Sequence, residues 1–126
     1  MLGIIAKTLE DKLERIGDNG MIISRVDVDK PSQLRDISFQ IRSRYPNLSL
    51  VLGAEIEGKA HLSVMLADKL INDAGLNASQ IIREVSVEIQ GGGGGQPFFA
   101  TAGGKNPAGI DKALSRARTL IVEALS

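Results

Sequence analysis

Gly91 to Gly95 form an unbroken run of five glycines, followed by Gln96-Pro97-Phe98-Phe99-Ala100-Thr101-Ala102 and then Gly103-Gly104-Lys105. Amides without side chains let an anionic ligand approach closely, and successive amides in a turn form an anion-binding concavity. Lys105 adds a cation beside two glycines at a predicted helix start, where it and helix-terminal amides would meet a phosphate. A slack linker is the competing reading of so much glycine. Linkers are flanked by polar, weakly structured sequence. Here a helical pattern precedes the run, and an apolar strand pattern follows within two residues. The sequence therefore predicts an ordered, backbone-donating loop. Its candidate nucleic-acid-binding residues are Gly91, Gly92, Gly93, Gly94, Gly95, Gln96, Gly103, Gly104 and Lys105.

Named nucleotide motifs do not fit this stretch. A dinucleotide fingerprint needs a strand before the glycines and a helix directly after, and the order here is reversed. A Walker loop needs Ser or Thr after Gly-Lys, but Asn106 follows Lys105, and Phe99 stands where the first glycine belongs. His61 is the only histidine, and it alternates with Leu62 and Val64 on a predicted strand, sharing a face with Ser63 and Met65. That placement predicts a surface or structural role, with no catalytic residue and no metal ligand assigned. Arg35, Arg42 and Arg44, like Lys112 and Arg116, read as solvated helix faces. Phe98 and Phe99 offer a stacking surface for bases, although an apolar strand places at least one of them in the core.

The chain has 126 residues, 43% of them hydrophobic and only 3% aromatic. One domain with an aliphatic core is expected. There is no cysteine, which excludes disulfides and thiolate metal sites. No apolar run approaches the length of a membrane span, and no signal peptide is visible, so a cytoplasmic location is expected. Formal net charge is zero, which excludes a strongly basic nucleic-acid binder. Charge is uneven, however: Lys105, Lys112, Arg116 and Arg118 outnumber Asp111 and Glu123 in the last segment.

Leu2, Ile5, Leu9, Leu13 and Ile16 recur at helical spacing and predict a helix over residues 1–19, read as the end of a longer helical subdomain. The globular part is expected over residues 20–126. Met21 to Val28 reads as a strand. Pro31 opens a helix with Leu34, Ile37, Ile41 and Tyr45 on one face. Leu48–Glu57 and Lys59–Leu66 read as an antiparallel pair joined at Glu57-Gly58. A short helix over 68–74 ends at Gly75. Asn77 caps a helix with Ile81, Ile82, Val85 and Ile89 buried. Pro97–Ala102 reads as the last strand, and Asn106-Pro107 as the cap of a final helix. The fold class is α/β: a small two-layer sandwich, a mixed sheet of about four strands, preceded by an N-terminal helix.

The glycine run with Ala100-Thr101-Ala102-Gly103-Gly104-Lys105, followed by Asn106-Pro107 and a helix, closely resembles the end of bacterial alanyl-tRNA synthetases. That end is the DHH-associated domain, shared with DHH-family phosphoesterases. The Glu57-Gly58-Lys59 hairpin and Leu62-Ser63-Val64-Met65-Leu66 agree with it in order, and the resemblance covers about residues 20–126. It implies a non-catalytic tRNA-binding domain of alanine–tRNA ligase that contacts the tRNA(Ala) elbow and supports aminoacylation and editing. It also implies no cofactor in this chain, the ATP, magnesium and zinc of the full-length enzyme belonging to upstream domains. Other synthetase domains are implied partners. The alternatives are a dimerisation module acting through the N-terminal helix, or the substrate-binding half of a phosphoesterase. In the phosphoesterase branch a histidine commonly follows the glycines. Gln96 stands there in this chain, which favours the synthetase branch. Gln96 also replaces a basic residue frequent in the synthetases.

Overall fold

The computed structural model describes residues 2–126, with side chains from Ile4 onward. Met1 and the side chain of Leu2 lie outside the described residues. Along the chain run α1 (Leu2–Glu10), β1 (Glu14–Ile16), β2 (Asn19–Arg25), α2 (Pro31–Arg42), β3 (Leu48–Ile56) and β4 (Lys59–Leu66). Then follow α3 (Asp68–Ala74), α4 (Ala78–Val85), β5 (Gly91–Gly95), β6 (Phe99–Gly104) and α5 (Ile110–Leu125).

Local chemistry accounts for most of these boundaries. Pro31 occupies the first turn of α2, and the Gln33 side chain accepts from the Asp29 and Lys30 amides just ahead of it. The Asn77 side chain accepts from the Gln80 amide and starts α4. Gly75, at a φ of 71°, closes α3 in the left-handed conformation. Glu57 and Gly58 both have positive φ, 53° and 78°, and Ile56 faces Lys59 across the turn. That is the two-residue turn whose twist suits a hairpin.

The strands form one mixed sheet in the order β1-β2-β3-β4-β6-β5. Only β2 and β3 run parallel, joined over the sheet by α2. Alternating side chains divide the core in two. Val51, Leu62, Val64, Ala100 and Ala102 point to one face, where α3, α4 and α5 bring Leu70, Ile81, Ile82, Val85, Ala117 and Ile121. Leu50, Leu52, Ala54 and Met65 point to the other, where α1 and α2 bring Ala6, Leu9, Leu34, Ile37 and Ile41.

The α/β sandwich with a mixed sheet is therefore present, with three differences from the sequence reading. Helices cover both faces, giving three layers in place of two. The sheet has six strands in place of four. The added strands are β1, hidden in sequence because Leu13 and Ile16 continue the helical spacing, and β5, hidden because glycine is a poor strand former. Thus the first helix ends at Glu10, and residues 14–16 pair with β2. The third difference is the predicted loop over the glycine run, which is a hydrogen-bonded strand. Smaller shifts accompany these. β2 ends at Arg25 and not Val28, and residues 86–89 form a 3-10 turn after α4. Asn106 does not cap the last helix: its side-chain amide donates to the Glu88 carbonyl, and a 3-10 turn over Pro107–Gly109 precedes α5.

Candidate nucleic-acid interface

β5 is the edge of the sheet, paired antiparallel with β6 over Gly91↔Gly104, Gly92↔Gly103, Gly93↔Ala102, Gly94↔Thr101 and Gly95↔Ala100. Gln96 and Phe99 exchange both backbone hydrogen bonds at the hairpin end, at 2.9 and 3.3 Å. Antiparallel alternation then makes Gly94–Thr101 and Gly92–Gly103 the hydrogen-bonded pairs. The N–H and C=O groups of Gly91, Gly93 and Gly95 are consequently turned to the open edge.

The five glycines divide into two sets with different reasons to be glycine. A Cβ on Gly91 would collide with the carbonyl oxygen of Gly103, and one on Gly93 with that of Thr101. At Gly95 a Cβ would stand 2.5 Å from the Phe99 carbonyl oxygen. Close packing on β6 thus requires these three. Gly92 meets nothing within 4 Å, and Gly94 meets only the Ser79 hydroxyl at 3.9 Å. Packing does not require those two. With no side chain at either, the backbone of Gly92, Gly93 and Gly94 lies bare along a groove that α2 also borders, and Gly94 is half-buried beside Ser79 of α4.

That bare area is the floor of a groove of about 580 Å³. Cross-strand rows build it: His61–Gly103–Gly92, then Thr101–Gly94, with Phe99 beyond. Pro31, Ser32, Leu34 and Arg35 at the start of α2 form its wall. The floor stays open because α2 sits over β3 and β4, while α4 covers β5 and β6 only from the opposite face. Gly103 contributes to the floor. Gly104 does not: a Cβ there would strike the Ile89 carbonyl, so it is a packing glycine.

Lys59 opens β4 and Lys105 follows β6, one step beyond the Ala60↔Gly104 pair, so both lysines stand at one end of the groove. Among the described residues neither has an acidic partner within 4 Å. Lys112 and Arg116 differ: they pair with Glu88, at 3.7 and 3.1 Å. Gln96 lies at the far end, about 20 Å from Lys105 along the strand. The nine sequence-predicted residues thus share one hairpin but fall into an open edge, a floor, a packing position and two separate ends. α5 packs on the other face, so its N-terminus does not face the groove.

The sequence reading offered Phe98 and Phe99 as a stacking surface but took Arg35 for a solvated helix face and missed its cluster with Phe39 and Phe99. The Arg35 guanidinium lies 5.3 Å from the Phe39 ring and 5.9 Å from the Phe99 ring, and those rings are 5.2 Å apart. Helical spacing alone puts Arg35 beside Phe39, but only the sheet register puts Phe99 there. His61 is half-buried in the floor, as its strand position predicted. Among the described residues no group of three His, Cys, Asp or Glu is placed to hold a metal ion, and no helix is long and apolar enough to cross a membrane.

Residues 18–123 match the DHHA1 domain. The chain is 46% identical over 117 residues to the alanine–tRNA ligase of Cytophaga hutchinsonii, covering 93% of this chain and 13% of that protein. It is 44% identical over 120 residues to that of Christiangramia forsetii, covering 92% and 14%. It therefore spans about an eighth of the length of these relatives. Its structure resembles the C-Ala domain of Aquifex aeolicus alanyl-tRNA synthetase with a TM-score of 0.73 at 27% identity, over 91% of this chain and 98% of that one. A DHH-domain protein described as a member of the s1p family of ribosomal proteins, PF0399, shares the fold at 11% identity, with a TM-score of 0.59 over 97% of this chain and 30% of that one. The chain belongs to the DHHA1 domain family, in the form seen in the C-Ala domain of alanyl-tRNA synthetase.

Proposed function

We propose that the chain is the non-catalytic tRNA-binding domain of a cytoplasmic alanine–tRNA ligase. It contacts the elbow of tRNA(Ala) and supports aminoacylation and editing performed by other domains. ATP, magnesium and zinc serve those domains, and this one needs no cofactor. The observation that carries the reading is that Gly92 and Gly94 have no side chain although the packing leaves room for one. Nothing in the packing forbids side chains there, and their absence opens a floor on which a nucleic-acid strand can lie against the backbone. The outward amides of Gly91, Gly93 and Gly95 supply phosphate donors along the edge, with Gln96 as a neutral donor at one end. Lys59 and Lys105 supply the phosphate-pairing charge at the other. With net charge zero, affinity rests on this local pair and on shape, as is usual for folded RNA.

Titration of the chain with tRNA(Ala) transcript at about 50 mM and about 200 mM salt tests this, because each phosphate-pairing lysine removed lowers the salt slope by about one. Lys105→Ala should lower the slope and weaken binding evenly across RNA sequences. No binding at either salt would contradict the proposal. So would a slope that Lys105→Ala leaves unchanged.

A second reading, dimerisation through the N-terminal helix, draws on Ile4, which is 71% exposed on α1. Sedimentation equilibrium decides it: a dimer that Ile4→Lys dissociates supports it, and a strict monomer at high concentration rejects it.

A further inference from the structure

The chain has three phenylalanines, one tyrosine and no tryptophan, and none of them is among its largest fully buried side chains, which are all Leu, Ile or Met. The three phenylalanines instead gather at one surface, where the β5–β6 turn meets α2. Phe98 is 36% exposed, with the Arg42 guanidinium 5.7 Å from its ring. Phe99 and Phe39 lie under Arg35. Arg35, Phe39 and Arg42 are four and three residues apart, so they form one stripe along α2. Phe39 and Phe99 are half-buried, Phe99 against the core under α2, and the ring area each leaves in water adds nothing to burial. The two arginines also differ. Arg42 is held by Asp68 at 3.0 Å. Exposed Arg35 has no acidic partner within 4 Å among the described residues, so its charge is unneutralised and open to solvent.

From this arrangement we infer that the Arg35–Phe39–Phe99 cluster is a base-stacking site that takes one unpaired base of the bound RNA. The inference rests on the RNA reading above and adds to it the part of the ligand that is read. A flat base lies on the guanidinium, which is itself backed by the two rings, and continues that stack outward. Phe98 borders the same site. The bare floor at Gly94, the residue of the glycine strand shared with this corner, leaves room for the sugar of the stacked nucleotide. The interface then has two unlike ends, phosphate pairing at Lys59 and Lys105 and base stacking at Arg35. The consequence is selectivity: the chain prefers RNA that displays an unstacked base over a perfect duplex of equal charge.

The test uses two RNA probes with the same stem, one carrying a single unpaired 2-aminopurine, the other fully paired. Stacking of one base is worth about tenfold in affinity or more. The wild-type chain should bind the unpaired probe about tenfold tighter than the duplex and quench its fluorescence. Arg35→Lys keeps the charge and loses the plane, so it should abolish both the preference and the quenching. Equal binding of the two probes, or a preference that Arg35→Lys preserves, overturns the stacking site while the RNA reading stands. Binding of neither probe overturns the RNA reading and the stacking site with it.

Discussion

The two faces of the β5–β6 hairpin are built from the same ten or so residues and put to opposite uses. On one face Ala100 and Ala102 are buried under Ile81, Ile82 and Val85 of α4. Gly91, Gly93 and Gly95 are themselves exposed, but a Cβ on any of them would run into the β6 backbone. On the other face a groove runs past exposed Gly92, half-buried Gly94 and exposed Gly103, bordered by Thr101, Arg35 and Phe99. One pentaglycine thus holds alternate residues under different constraints. The period of two along a strand separates a packing requirement from a sterically free position within five residues.

Substitutions should break this comparison in a graded way. Gly93→Val has the largest expected effect. Its side chain meets the β6 backbone, and overpacking against backbone should lower stability by about 3 kcal/mol or more, read by urea unfolding. On the same closed face Ile82→Ala should cost about 3 kcal/mol by leaving a cavity, whereas Thr101→Ala on the open face should stay within about 0.5 kcal/mol. If the two faces responded alike, the division between them would be wrong.

A smaller effect is expected where α1 meets the open-face layer. The Tyr45 hydroxyl donates to the Glu10 carboxylate at 2.8 Å, and Arg44 pairs with the same carboxylate. That hydrogen bond, with burial and the Glu10 charge assisting, raises the Tyr45 pKa above its ordinary value. The stabilisation is complete below about pH 10 and is lost as pH climbs through the raised folded-state value. Tyr45→Phe should cost about 1 kcal/mol, since the pair is partly solvated, and should remove that alkaline loss from the stability–pH profile. The smallest effect on stability belongs to Gly92→Ala, within about 0.5 kcal/mol and of either sign, because the new methyl touches nothing and the unfolded chain is slightly stiffened.

Much of the closed architecture was legible because local signals agreed with global ones. The Leu34, Ile37 and Ile41 stripe gave α2, the Asn77 cap gave α4, and Glu57-Gly58 gave the β3–β4 hairpin. What escaped were elements whose local signal pointed elsewhere. Leu13 and Ile16 fit a helix better than the three-residue strand they flank and end. Five glycines carry no alternation, so no pattern could mark β5 as a strand. The candidate residues share one hairpin, but their division into floor, edge and packing positions needed the register. Arg35 and Phe99 are 64 residues apart, from their numbering, and nothing local joins them. A chain in which both faces of the sheet carry helices also reads the same as one with all helices on a single face, since each helix shows only its own stripe.

The central claim is that Gly92 is bare for the sake of a ligand and not for packing. It is tested most directly by the affinity of Gly92→Val for tRNA(Ala), measured beside its thermal unfolding midpoint. The account predicts an unchanged midpoint with affinity reduced about tenfold, equivalent to about 1.4 kcal/mol of lost contact. Undiminished affinity in the folded variant would contradict it.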